Sequence, residues 1–267
     1  MSFDSGTDRQ AADEFGAPEG SAYVQAPRPQ PVRINLPGRG RKPWVTWSLL
    51  AATIIFYLLQ QLSNSMLGTD LLLLYGAKIN AAIYAGQFWR LITPVFLHGS
   101  ILHIAFNMYA LYIIGSGLEL YYGHTRFTLL YLLSGYAGNV FSLVFTPAPS
   151  LGASTAVFGM IAAQGIFIYK NRFLFGKRAR AMLGNILFIV LFNLFLGLNP
   201  GIDNWGHLGG LIGGAAFAWF AGPLIALRED TLGYRLEDQR TSNKGWSVFL
   251  ISAAVISAVV LMKIISA

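Results

Sequence analysis

Cysteine is absent from the 267-residue sequence, and charged residues make up only 12% of it. The absence of cysteine excludes disulfide bonds, thiolate nucleophiles and cysteine-ligated metals. The charged fraction is about half that of a soluble globular domain, whereas 54% of the residues are hydrophobic. This composition argues against an ordinary cytosolic enzyme.

The first 43 residues are rich in Gly, Pro, Ala and charge and contain no sustained apolar run. Such a segment buries too little surface to fold, so we expect a disordered tail over residues 1–43. The first long apolar stretch begins near Trp44, too far along the chain for a secretory signal peptide. We therefore expect no cleaved leader.

Seven apolar runs follow, most of them long enough to cross a hydrocarbon core about 30 Å thick. All seven are predicted to be helices, because hydrocarbon offers no partner for unpaired backbone groups. The fourth and fifth are short, so we expect neighbours to enclose them or flanking residues to extend them. The sequence thus predicts an all-α, polytopic membrane helix bundle. The runs cover residues 44–62, 102–120, 127–145, 154–169, 182–198, 205–227 and 246–264.

The basic residues sort to one side of this arrangement. With the N-terminus in the cytoplasm, all Lys and Arg residues fall on the cytoplasmic side except Lys78, Arg90 and Lys263. Loops rich in Lys and Arg stay in the cytoplasm, so we expect a cytoplasmic N-terminus and an outward-facing C-terminus. The net charge of +7 then needs no nucleic acid or other acidic partner.

Residues 67–101 form an apolar segment that contains Pro94 and is predicted to lie outside the spans. Trp89 and Arg90 combine an aromatic ring and a cation, which is typical of the headgroup level of a bilayer. We interpret this segment as an interfacial loop anchored by these two residues.

A few polar side chains lie near the predicted outer ends of the second, fourth and sixth spans. His103 and Asn107 are four residues apart and share a helical face. Ser154 opens the fourth span just after Gly152, and His207 opens the sixth. These three spans run in the same direction, so the side chains are expected at one depth in the bilayer, where polar groups are costly and usually functional.

A serine beside an imidazole base forms a nucleophile, and a second imidazole or an amide can donate to an oxyanion. Ser154 is also predicted at a helix N-terminus, whose N–H groups favour negative charge. Asp203 lies in the loop before His207 and Glu119 lies at the cytoplasmic end of its span. The pattern therefore predicts a Ser–His dyad without a carboxylate.

Each of these residues also has an ordinary structural interpretation. A single Ser in a membrane helix usually bonds to its own helix, and a single His at a helix end is usually a structural hydrogen-bond partner. Metal ligation by His98, His103 and His207 is a rival use, but there is no His-Glu-x-x-His run and no inward-facing carboxylate. We expect no metal and no other cofactor.

In these residues and their order, the chain resembles the rhomboid family of intramembrane serine proteases over residues 44–227. Thr155 departs from the family pattern, in which a second glycine commonly follows the serine. The matching segments are Gly86-Gln87-Phe88-Trp89-Arg90-Leu91, His98 with His103 and Asn107, Gly115 with Glu119, Gly123 and Arg126, Gly152-Ala153-Ser154 with Phe158-Gly159, and Trp205-Gly206-His207-Leu208-Gly209-Gly210.

The resemblance implies a role for each site residue. Ser154 would attack the peptide carbonyl, and His207 would act as its general base and then as acid. His103 and Asn107, with backbone N–H groups near Ser154, would stabilise the oxyanion. Phe158 would pack against the imidazole of His207.

Small residues in the fourth and sixth spans independently favour a close approach of these two helices. Such an approach would bring Ser154 to His207. The sixth span carries one ridge of Gly206, Gly210 and Gly214 and another of Gly209 and Gly213, and the fourth carries Ala156, Gly159 and Ala163.

The resemblance implies a six-helix catalytic domain over residues 44–227, followed by a charged linker and a seventh span over 228–267. Its substrates would be transmembrane helices cleaved near their outer ends beside a small side chain. A cytoplasmic N-terminus without a targeting peptide separately favours a bacterial plasma membrane over an organelle. We expect Glu119 and Arg126 to form a cytoplasmic structural pair. The alternative function is that of an inactive rhomboid-like protein that binds transmembrane clients. A transporter is a weaker alternative, because repeat symmetry and buried mid-span charges are missing.

Overall fold

The computed structural model of the chain describes residues 34–35, 42–230, 233–240 and 242–266. The predicted tail, residues 1–43, therefore lies largely outside the described residues. Two of its residues form a short strand, β1 (Ile34–Asn35).

The described part of the chain is mostly helical. Helix α1 (Trp44–Leu67) is followed by two short helices, α2 (Leu71–Gly76) and α3 (Asn80–Tyr84), and two 3₁₀ turns, Phe88–Leu91 and Thr93–Phe96. The remaining helices are α4 (Ile101–Ala110), which continues through a π-helical turn into α5 (Ser116–Phe145), then α6 (Ser154–Lys170), α7 (Arg178–Leu196), α8 (Asn204–Ala221) and α9 (Ser242–Ile265).

Gly123 divides α5 into two helical parts, because its φ of 72° and ψ of 164° are not helical. A positive φ at this position favours glycine over any residue with a side chain. The predicted second and third spans are therefore joined by a sharp turn at Gly123 rather than by a separate loop.

Four described helical segments are long and apolar enough to cross a membrane: Trp44–Leu67, Ile101–Phe145, Arg178–Leu196 and Asn243–Ile265. Helices α6 and α8 are only 17 and 18 residues long, and both pack with α5 in the centre of the molecule. The short fourth span is thus enclosed, as expected. The fifth, α7, is instead lengthened at its start and keeps most of its side chains exposed.

Glycine contacts hold α5, α6 and α8 together. Gly214 of α8 lies directly against the backbone of Gly159 in α6, and Gly210 lies against the carbonyl of Thr155. On the other side of α8, a methyl group on Gly213 would come within 2.5 Å of Ala137 Cβ in α5. Backbones approach this closely only where side chains are absent.

Two sequence predictions at the C-terminal end of this core are wrong. The sixth span ends at Ala221 rather than at residue 227, because Pro223 cannot continue the helix and holds Gly222 in an extended conformation. The charged linker contains an antiparallel pair, β2 (Ile225–Asp230) and β3 (Gly233–Asp238), and β1 pairs with β3 in parallel. The all-α prediction therefore missed a three-stranded sheet in the order β1-β3-β2.

Glu119 and Arg126 do not form the expected pair. The buried carboxylate of Glu119 accepts hydrogen bonds from the backbone N–H groups of Val45 and Thr46, at 2.9 and 2.7 Å, and so caps the start of α1. It also contacts His124. Arg126 instead pairs with Asp238 of β3, which ties α5 to the sheet.

The loop over residues 67–101 is built around buried cations. Arg90 is only 3% exposed, and its guanidinium donates to the carbonyls of Ala77 and Leu74 at 2.7 and 2.8 Å. The interpretation of Arg90 as a headgroup anchor is therefore wrong, since its donors are used inside the loop. Trp89 is 51% exposed and donates to the carbonyl of Tyr75.

Candidate active site

Ser154 and His207 meet where α6 and α8 begin. The Ser154 hydroxyl lies 2.9 Å from Nε2 of His207, within hydrogen-bond distance. Ser154 is the first residue of α6, and His207 lies in the first turn of α8. The glycine contacts between the two helices set this distance, because any side chain at Gly210 would collide with the carbonyl of Thr155.

The ring of Phe158 stacks on the imidazole of His207. The two ring centroids are 4.3 Å apart and the planes are nearly parallel, at 8°. Phe158 lies one turn after Ser154 on α6, so one helix supplies both the hydroxyl and the ring. The imidazole is thereby held face-on by Phe158 and edge-on by Ser154.

No carboxylate contacts His207 within the part of the chain that the structure describes. Asp203 precedes α8 and accepts a hydrogen bond from the N–H of Gly206 at 2.9 Å, as an N-cap does. Nδ1 of His207 has no hydrogen-bond partner among the described residues. Among the described residues, Ser154 and His207 thus form a pair without a carboxylate partner.

The loop before Ser154 lies against the imidazole of His103, which comes from α4. Gly152 has a φ of 122°, and its N–H donates to the carbonyl of Pro94 at 2.9 Å. A Cβ atom on Gly152 would lie 2.7 Å from Nε2 of His103 and 3.7 Å from the Ser154 hydroxyl. Glycine is therefore needed at this position both for its backbone conformation and to admit the imidazole.

Asn107 is placed one helical turn beyond His103. Its side chain is buried, and its amide nitrogen donates to the carbonyl of His103 at 2.9 Å. Among the described residues, the structure shows no hydrogen bond from Asn107 to Ser154 or His207. Of the expected set, Ser154, His207, Phe158, Gly152 and His103 come together directly, and Asn107 adjoins them through His103.

His98 is a further member of this site, which the sequence analysis named in the family match and as a candidate metal ligand but gave no catalytic role. It is 1% exposed, its ring lies 4.9 Å from that of His103, and its Nε2 accepts from the N–H of Ala153 at 3.4 Å. Burial lowers the pKa of His98 to about 3, with the neighbouring His103 adding to the effect. A neutral His98 can accept from Ala153, whereas a protonated one cannot.

Gln60 of α1 holds His98 in place. Its side-chain oxygen accepts from the backbone N–H of His98 at 3.0 Å, and its amide nitrogen donates to Asp70 at 2.8 Å. The two glutamines, Gln60 and Gln61, near the end of an apolar run were the available sequence signal, because a buried amide needs hydrogen-bond partners.

Thr155 occupies the space between α5 and α8. It is 3% exposed, and its methyl carbon lies 2.7 Å from the position that a Cβ on Gly138 would occupy and 3.1 Å from that on Gly206. The departure from a second glycine after the serine is thus accommodated by glycines on the two neighbouring helices.

The chain is similar to proteins of one known family. A family model described as the Rhomboid domain matches residues 85–224, which include all the site residues from His98 to His207. Rhomboid protease GluP of Bacillus subtilis (strain 168) is 40% identical over 197 residues, which are 73% of this chain. The chain belongs to the rhomboid family.

Other rhomboid relatives come from eukaryotes. RHOMBOID-like protein 9, chloroplastic, of Arabidopsis thaliana is 33% identical over 204 residues, 73% of this chain. Rhomboid-like protease 3 of Toxoplasma gondii is 34% identical over 189 residues, 69% of this chain and 71% of that protein. The matched region spans only 38% of GluP and 47% of RHOMBOID-like protein 9.

Proposed function

We propose that this rhomboid-family chain is an intramembrane serine endopeptidase with Ser154 as nucleophile and His207 as general base and acid. The observation that carries the proposal is the 2.9 Å distance between the Ser154 hydroxyl and Nε2 of His207. A serine within hydrogen-bond distance of an imidazole is the arrangement that nucleophilic catalysis requires. The relative named as the rhomboid protease GluP supports the assignment.

In the acylation step, Oγ of Ser154 attacks the peptide carbonyl carbon while Nε2 of His207 takes the hydroxyl proton. The same imidazolium then protonates the leaving amine as the C–N bond breaks. In the second step, water attacks the carbonyl carbon of the acyl-enzyme while Nε2 of His207 takes a proton from it. The imidazolium then returns this proton to Oγ of Ser154 as the ester bond breaks and the carboxyl product leaves. Ser154 is partly exposed, which gives both the peptide and water access to its hydroxyl.

Phe158 stabilises the charged form of His207 in this mechanism. The imidazolium has no carboxylate partner among the described residues, so its charge depends on other groups. An aromatic face stacked at 4.3 Å attracts a cation through the ring quadrupole. The stacking also fixes the imidazole plane, so that Nε2 stays directed toward Ser154.

The negative charge that develops on the carbonyl oxygen would be stabilised from two sides. The first-turn N–H groups of α6 have no partner within the helix and point toward this end. His103 reaches the same space over Gly152. Asn107, one turn away, would complete the donor set once a substrate draws its amide from the carbonyl of His103.

The substrates in this proposal are transmembrane helices, cleaved near their outer ends beside a small side chain. We propose seven spans with a cytoplasmic N-terminus, a catalytic domain over residues 44–227 and a C-terminal part over 228–267. A bacterial plasma membrane is the proposed location. The sorting of Lys and Arg to one side supports this orientation. The choice of a plasma membrane is independent of that sorting, and two relatives are named as chloroplastic and mitochondrial.

The proposal is tested by cleavage of a single-span model substrate in liposomes by the wild type, Ser154→Ala and His207→Ala. We expect product from the wild type and none from either variant. Equal product from all three would reveal a contaminant or a different nucleophile. Binding of the substrate by all three without any product would favour the inactive, client-binding function.

A further inference from the structure

A concave site lies between the end of α6 and the start of α7, away from Ser154. Its volume is about 670 Å³. Three basic residues, two aromatic rings and one aliphatic side chain dominate its walls: Arg172, Lys177 and Arg180, Tyr169 and Phe173, and Leu183.

The three cations of this site are exposed and have no acidic partner within the described part of the chain. None of them takes part in an ion pair with a described carboxylate. Guanidinium and ammonium groups that surround one concavity repel each other unless an anion lies between them. Phosphate suits this set, because Arg binds it through paired N–H groups and Lys binds it as a point charge.

The turn that carries these residues is held rigidly by Asn171, which is fully buried. Its amide nitrogen donates to the carbonyls of Phe167 and Pro223 at 2.8 and 3.1 Å, and its oxygen accepts from the N–H of Ile225 at 2.7 Å. A 3₁₀ turn, Arg172–Leu174, follows at once. The backbone that presents the cations is therefore ordered before any ligand arrives.

The apolar walls decide between a lipid and a soluble anion. Tyr169 and Phe173 are each 54% exposed, and Tyr169 is oriented by stacking on Trp219. A soluble phosphate makes no use of exposed aromatic rings, whereas a phospholipid carries an acyl chain beside its phosphate. The site also lies at the junction of two helices assigned to the bilayer, where headgroup and chain meet.

We propose that this site binds an anionic phospholipid, with the phosphate held by Arg172, Lys177 and Arg180 and the start of an acyl chain packed on Tyr169 and Phe173. The proposal does not depend on the protease assignment. In this proposal the three cations bind a specific ligand and also help to keep this side of the protein in the cytoplasm.

The test compares lipid binding by the purified full-length protein in detergent, using native mass spectrometry during titration with phosphatidylglycerol or phosphatidylcholine of the same chain length. The test variant is Arg172→Gln/Lys177→Gln/Arg180→Gln. Arg180→Gln is also tested singly against its matched control, Arg178→Gln, since Arg178 is an exposed cation in the same first turn of α7 that does not line the cavity. Inorganic phosphate is added as a competitor in a separate series.

We expect the wild type to bind phosphatidylglycerol at least about tenfold more tightly than phosphatidylcholine, and the triple variant to lose that preference. Arg178→Gln should stay within about twofold of the wild type. An equal loss in Arg178→Gln would overturn the proposal in favour of diffuse attraction, and displacement by millimolar phosphate would indicate a soluble anion instead. If the triple variant fails to fold, the three single substitutions at these exposed positions provide the same comparison.

Discussion

Gly214 of α8 lies directly against Gly159 of α6, with no room for a methyl group between the two backbones. The same two helices carry Ser154 and His207, which lie nearer the helix N-termini than the glycine contact. The separation of the helices therefore determines whether the hydroxyl and the imidazole are in hydrogen-bond contact.

Gly214→Ala should push α8 away from α6 and reduce both stability and cleavage. The added methyl overlaps backbone atoms of Gly159, which cannot rotate away, so we expect a loss of about 1–3 kcal/mol in the free energy of unfolding. Thermal unfolding in detergent and cleavage of a model substrate measure the two effects. Gly184→Ala is the control, since a methyl on Gly184 in α7 meets no atom within 4 Å. Equal behaviour of the two variants would show that the glycine contact is not what sets the helix separation.

Phe158→Leu should lower kcat while leaving the fold intact. The change keeps most of the apolar volume but removes the ring that stacks on His207 at 4.3 Å. Stacking contributes about 0.5–1.5 kcal/mol, so kcat should fall by about two- to tenfold with little change in KM. Phe188→Leu removes a comparable stacked ring, paired with Phe192 on an exposed face of α7, and should leave kcat unchanged. A kcat that is the same in both variants contradicts the role given to Phe158.

His98 should make the protein less stable as the pH falls below 6.5. Burial lowers the pKa of His98 to about 3 in the folded protein, so the unfolded chain takes up the proton first. Stability contributed by neutral His98 is complete above pH 6.5 and is lost progressively as the pH falls toward 3. Free energies of unfolding across this range should fall more steeply for the wild type than for His98→Phe, which keeps a ring without a titrating nitrogen. Parallel curves would mean that His98 binds protons equally in both states.

Glu119→Gln should destabilise the start of α1. The carboxylate accepts from the N–H groups of Val45 and Thr46 and from the Thr46 hydroxyl, all within 2.9 Å, in a buried position. Loss of charge-assisted hydrogen bonds there should cost about 1.5–3 kcal/mol in the free energy of unfolding. Glu237→Gln removes a carboxylate that is 41% exposed and should cost at most about 1 kcal/mol. The ranking would be contradicted by an equal or larger loss at Glu237.

The sequence predicts most of the helices and the neighbourhood of the site for identifiable reasons. Long apolar runs predict helices buried in hydrocarbon. Small residues four positions apart indicate a helix face that packs closely on a neighbour, as Gly206, Gly210 and Gly214 do. Periodicity within one helix and small-residue ridges were therefore enough to expect Ser154 close to His207.

The rest depends on partners that are distant in the chain. The sequence around Arg90 does not indicate whether its guanidinium faces lipid headgroups or the carbonyls of its own loop. Only the fold shows that it is buried against those carbonyls. The contact of Gln60 with His98 spans 38 positions, which local patterns do not report. The sequence analysis missed β2 and β3 because both strands are rich in charged residues. Such a composition is found in half-exposed hairpins and in flexible linkers alike, so it does not distinguish the two.

In the proposed function, Ser154 is a nucleophile activated by His207. The most direct test is to treat the wild type and His207→Ala with a serine-reactive fluorophosphonate and locate the adduct by mass spectrometry of the digested protein. We expect one modified serine, Ser154, with a rate about 10²–10⁴-fold lower in His207→Ala. Modification of another serine, or an equal rate at Ser154 in both proteins, would contradict it.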